Sequence, residues 1–164
     1  MKSKLCCCLL LFFCCVYARA QGLEQGRAVA ARTKRYEPYL VDSAARHGVD
    51  VRLLWVIAWL ETRFNPAAVS PKGARGLMQM MPATARRFEL KNPHEPAAAI
   101  DAAARYVRLL VARYGGRADL VLAAYNAGEG AVDAYLRGET LQAGERLINA
   151  QREKTNGLPP YRET

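Results

Sequence analysis

Apolar residues along this chain recur at helical spacing, and few stretches alternate as a strand does. Between Glu37 and His47, the residues Tyr39, Leu40, Ala44 and Ala45 share one face, and Gly48 suits a C-terminal cap. Asp50 stands where a carboxylate caps the next helix, Val51 to about Thr62. Leu53 to Leu60 are apolar on every side, the mark of a helix buried at the centre of a fold. Asn65-Pro66 breaks it, and the chain through Gly76 reads as loop. Leu77 to Met80 reads as extended, one arm of a small β-hairpin. Pro82 at a first-turn position opens a short helix with Thr84, Ala85 and Phe88. After a second loop, Asn92 to Pro96, an amphipathic helix runs from about Ala98 to Tyr114 and stops at Gly115-Gly116. Asp119 is placed to cap a helix through Tyr125. Gly128 and Gly130 separate that helix from a short one, Ala131 to Leu136. A polar helix near Thr140 to Lys154 precedes the irregular tail "NGLPPYRET". The pattern predicts an all-α domain with at most one small hairpin.

The first twenty residues, "MKSKLCCCLLLFFCCVYARA", break this pattern. Two lysines precede an uncharged run from Leu5 to Tyr17, and Ala18-Arg19-Ala20 has the form of a signal-peptidase site. The run is too short and wrongly flanked for a stable membrane span, and no later stretch is apolar for long enough. Residues 1–20 are therefore read as a secretory signal, 21–35 as an extension and 36–164 as the domain. All five cysteines of the 164-residue chain lie in that signal, which leaves no thiol for a disulfide or a thiolate metal site. With two histidines and neither an HxxxH nor an HExxH pattern, no metal and no cofactor is expected. Removing Lys2, Lys4 and Arg19 takes the net charge from +9 to +6. An exported basic protein meets anionic envelope surfaces, and export together with scattered arginines argues against nucleic acid. The expected location is the periplasm or cell envelope.

Candidate chemistry centres on Glu61. It lies at the C-terminal end of the apolar helix, where the macrodipole presents partial negative charge, and among Trp59, Leu60 and Phe64. Both surroundings disfavour a charged carboxylate, as a general acid requires. The alternative is a solvated residue after a core helix, paired with Arg63 or Arg75. In the loop beyond, Gly73 and Gly76 allow positive φ, Ser70 and Gln79 offer polar groups, and Met78, Met80 and Met81 offer soft apolar walls for a groove. Singly, Ser70 reads as a turn former and the methionines as core. Together they suit an amphipathic ligand such as a sugar.

The stretch "ETRFNPAAVSPKGARGLMQMMPATA" resembles the lytic transglycosylase family, with its Glu-Ser/Thr-x-Phe start, Ser-x-x-Gly-Ala-x-Gly-Leu-Met-Gln centre and Pro-x-Thr-Ala end. "AAYNAGEGAV" resembles the family's second signature, and "LPPYRET" the start of its third, which is cut short at Thr164. The resemblance runs from about Tyr36 to Thr164 and implies a lysozyme-like fold related to goose-type lysozymes. It implies that Glu61 is the catalytic acid, that Ser70, Gln79 and Met81 line the groove, and that Tyr125 and Asn126 face the glutamate, with Tyr125 orienting it. It places Glu163 as a groove acid. Apart from the resemblance, Tyr125 reads equally as a core aromatic and Asn126 as a helix C-terminal residue.

The activity implied is cleavage of the MurNAc-GlcNAc β-1,4 bond of peptidoglycan, leaving 1,6-anhydro-MurNAc. No second acid accompanies Glu61 in its loop, so one carboxyl would serve as acid and then base, with the substrate's acetamido group assisting. A muramidase that uses water and a non-catalytic wall-binding protein are the alternatives. Partners implied are glycan strands and, by analogy with short exported members, a secretion, conjugation or pilus apparatus.

Overall fold

The computed structural model of the protein describes residues 2–138. Six helices appear in order: α1 (Lys2–His47), α2 (Val51–Thr62), α3 (Pro82–Arg87), α4 (Pro96–Arg113), α5 (Ala118–Ala127) and α6 (Glu129–Leu136). The chain divides into two compact units, Met1–Arg35 and Tyr36–Thr164. The first is helical throughout its described residues. The second holds the core and, apart from Glu163, every candidate site residue among the described ones, and its described residues are all-α as the periodicity predicts.

Within the second unit, α2 packs on α4 and α5, and α5 packs on both α4 and α6. Small residues make this possible. Ala99, Ala102, Ala103 and Ala104 of α4 are all buried, which lets neighbouring helices approach closely, and Ile100, Val107 and Leu110 fill the same surface. Leu54, Ile57 and Ala58 are the buried face of α2, and Val121 and Ala124 that of α5. Asp101 joins the end of α1 to α4. Its carboxylate accepts from Arg46 at 2.5 Å, lies 2.8 Å from His47 Nε2 and pairs with Arg105 at 3.3 Å. Burial pushes its pKa up, but the His47 hydrogen bond and the charges of His47, Arg46 and Arg105 prevail and hold it below the usual carboxylate range.

Local differences from the expected elements have local causes. The helix expected from Glu37 is the end of α1, which runs on through Pro38 with the loss of one backbone hydrogen bond. Helix α4 opens at Pro96, because the Glu95 carboxylate accepts from the N–H groups of Ala97 and Ala98. Asp119 is not a cap. It lies in the first turn of α5 and pairs with Arg117 at 2.6 Å. Gly128, at φ 91°, alone makes the break before α6, and Gly130 lies inside that helix. Leu77 to Met80 is not a hairpin arm. Arg75 bridges Val69 on one side and Met80 on the other as isolated pairs, and residues 76–79 form the turn between Arg75 and Met80. Left-handed Gly76 and Gln79 curl the chain too tightly for a ladder. The expected polar helix, the tail and Glu163 lie outside the described residues.

Candidate active site

Asp50 caps α2 by accepting from Arg52 N at 2.8 Å, and this sets the helix phase that carries Glu61. Glu61 follows Leu54, Ile57 and Ala58 by seven, four and three residues, so it shares their inward face. It is half-buried. Trp55 and Trp59 stack at 5.5 Å on the adjoining face, and Trp55 meets the fully buried Phe64 edge-on. The helix ends in an uncommon way. Arg63 and Phe64 both take left-handed backbone, at φ 50° and 61°, and their N–H groups reach back to Trp59 O and Ala58 O. Such geometry costs of order 1 kcal/mol or more per residue, and the packing of Phe64 holds it in place.

The loop after α2 is tied down by its own polar groups. Thr62 Oγ1 donates to Leu77 O at 2.8 Å and accepts from Asn65 N at 3.1 Å. Ser70 closes the next turn: its Oγ accepts from Ala74 N at 3.0 Å, and its backbone bonds Ala74 and Gly73. Gln79 sits at φ 47°, and its amide nitrogen donates to both Ala68 O and Gly76 O. With both amide hydrogens so committed, the oxygen is what Gln79 can offer to a ligand. Gly76 is packed so closely that a Cβ there would lie 1.7 Å from Pro93 O.

These anchors shape a cleft of about 190 Å³, lined by Gln79, Met80, Met81, Thr84, Tyr106, Tyr125, Asn126, Ala127 and Gly128. Enclosing pockets begin at about 300 Å³, so this cleft takes part of a ligand and leaves the rest in the open. Gln79, Met81, Tyr125 and Asn126 are thus brought together. Ser70 does not line the cleft, and its acceptor is used in the turn. Met81 is exposed at the rim, whereas Met78 is core and Met80 is almost wholly buried.

Tyr125 links the cleft to Glu61. Its hydroxyl donates to Met78 O at 2.9 Å. Its pKa lies well above the ordinary phenol value, chiefly through burial, then through the nearby negative charge of Glu61 and through Tyr106. Glu61 does not line the cleft itself, and its charge is felt by Tyr125, which does. Tyr125→Phe removes a partner from a buried carbonyl, so unfolding free energy is expected to drop by about 1 to 2 kcal/mol, checked by urea denaturation.

Three contributors were not legible beforehand: Thr62, Thr84 and Tyr106. Tyr106 is buried on α4, its ring 5.3 Å from those of both Tyr125 and Phe88, and burial pushes its pKa up to about 12. In the sequence it looks like any core aromatic of an amphipathic helix. Among the described residues no cluster of three His, Cys, Asp or Glu side chains is placed to hold a metal ion.

Comparison with known proteins places this geometry in context. The profile of the Transglycosylase SLT domain matches residues 38–148. Membrane-bound lytic murein transglycosylase F 1 of Alkalilimnicola ehrlichii is 39% identical over 110 residues, covering 63% of this chain and 22% of that protein. Membrane-bound lytic murein transglycosylase C of Haemophilus ducreyi is 38% identical over 137 residues, covering 73% and 37%. An inactive mutant of lytic transglycosylase Slt from Pseudomonas aeruginosa superposes with a TM-score of 0.59 at 25% identity, over 76% of this chain and 25% of that one. The fold of the 70 kDa soluble lytic transglycosylase Slt70 from Escherichia coli is also shared, with a TM-score of 0.59 at 24% identity over 74% and 22%. The chain therefore spans about a fifth to two fifths of the lengths of these proteins.

Proposed function

This chain belongs to the Transglycosylase SLT domain family, and we propose that it is a peptidoglycan lytic transglycosylase with Glu61 as its one catalytic carboxyl. The observation that carries this reading is the placement of Glu61 on the inward face of α2, its charge felt by Tyr125 in the wall of a cleft with polar groups at Gln79 and Asn126. Glu61 protonates the oxygen joining N-acetylmuramic acid to N-acetylglucosamine, and that bond breaks. The muramic acetamido group stabilises the developing sugar cation. Ionised Glu61 then takes the proton of the sugar's C6 hydroxyl, whose oxygen closes the 1,6-anhydro ring. The proton ends where it began, on Glu61, and no water is consumed.

Half-buried Tyr125 anchors the loop through Met78 O, and Gln79 presents its amide oxygen to hydroxyl or amide groups of the glycan. Ser70 shapes the loop, Met81 gives apolar surface at the rim, Asn126 a polar edge, and Glu163 is assigned to the groove by its motif alone. The relatives' names support a cell-envelope location, and the apolar, lysine-led N-terminus supports export, with 1–20 as signal, 21–35 as extension and 36–164 as the catalytic domain. A role within an envelope-spanning secretion, conjugation or pilus apparatus is part of this proposal.

Sacculi digested with the purified protein are expected to release anhydro-muropeptides, identified by mass. Products heavier by one water would mean a hydrolase instead, and sedimentation with sacculi without release would mean a binding protein.

A further inference from the structure

Next to two residues of the cleft lining, Thr84 and Gly128, lies a charged pair that the proposed chemistry does not use. Arg87 lies one helical turn past Thr84 on α3, and Glu129 follows Gly128 at the start of α6. Arg87 Nη1 donates to Glu129 Oε2 at 2.9 Å, and the guanidinium carbon lies 5.4 Å from the centre of the Phe88 ring. Tyr106, which lines the cleft, senses both charges, Glu129 raising its pKa and Arg87 lowering it. By its place on α3 and α6 the pair borders two residues of the cleft lining, Thr84 and Gly128.

Stability alone does not account for it. Half of the Arg87 side chain is exposed, and such pairs contribute about 0 to 1 kcal/mol. What the arrangement does achieve is orientation. Glu129 takes a single N–H, the Phe88 ring lies under the guanidinium, and among the described residues no other group binds it. A guanidinium has five N–H donors in a rigid fork suited to carboxylates. Held this way, Arg87 loses little further freedom on binding.

Resting on the reading of the substrate as peptidoglycan, we propose that Arg87 forms a subsite for a carboxylate carried by the peptide stems of the wall polymer. The same cleft then reads sugar at one end and peptide charge at the other. Glu129 is a positioning residue for Arg87.

The test uses full-length protein carrying Glu61→Gln, so that ligand survives, and two soluble glycan fragments that differ only in free or amidated stem carboxyls. At physiological ionic strength the free-acid fragment is expected to bind about tenfold more tightly, the effect of one added charge-assisted contact. Adding Arg87→Ala is expected to bring the ratio to about one, and adding Arg87→Lys to retain part of it. Equal affinity for the two fragments before Arg87 is changed, or a ratio that survives Arg87→Ala, overturns the subsite. A purely structural role would lower the melting temperature and leave the ratio intact. Should Arg87→Ala not fold, the starting ratio and Arg87→Lys decide. Failure here leaves the cleavage reading standing if the parent protein still releases anhydro products. Failure of cleavage leaves the binding ratio measurable.

Discussion

Glu61→Gln is expected to cut release of anhydro-muropeptides by about 10² to 10⁴-fold, the usual worth of a positioned general acid. Glutamine matches the shape of the carboxyl and can still donate a hydrogen bond, but it has no proton to surrender to a departing oxygen. The residue is half-buried at the end of α2, and glutamine keeps its volume and its reach for hydrogen bonds. Melting temperature should hold while turnover falls, which separates chemistry from folding. The measurement is a rate on purified sacculi, with products assigned by mass. Parental rates would remove Glu61 from the mechanism, and with it the single-carboxyl reading.

Gly76→Ala should have the largest effect on stability, roughly 3 kcal/mol. Two penalties coincide there. The residue sits at φ 75°, where a side chain is strained, and the added Cβ would lie 1.7 Å from Pro93 O, a backbone atom that has no rotamer to escape into. Relief means parting the loop after α2 from the loop before α4, which would pull on Gly76 O and so on the Gln79 amide bound to it. Gly73→Ala is the matched control. It has a similar backbone, φ 87°, but nothing within 4 Å, so strain alone predicts about 1 kcal/mol. Urea midpoints for the two variants separate the clash from the strain, and equal midpoints would mean that the loops are not in contact.

The lengths of α2 and α3 follow from neighbouring residues only. Asp50 offers a cap, Asn65-Pro66 ends the apolar run, and Pro82 supplies a first turn, all interactions within a few residues along the chain. The start of α4 misled for the same reason in reverse: Glu95 is rare as a cap, and its carboxylate reached two N–H groups that a loop reading left unassigned. The expected hairpin arm at Leu77 failed because a left-handed non-glycine residue, Gln79, leaves no mark in a hydrophobic pattern.

From chain order alone came the helical class and the singling out of Glu61, since helical period, capping and proline breaks are short-range effects; α2, apolar on every side, reads as wholly buried, yet only Leu54, Ile57 and Ala58 are, and Trp55 is exposed. Folding in three dimensions was needed to seat Tyr125 on Met78 O, to put Tyr106 beside it, and to bring Arg87 to Glu129. These contacts join residues up to 47 positions apart. Which side of a helix meets which neighbour depends on how whole helices pack, and no local signal encodes that.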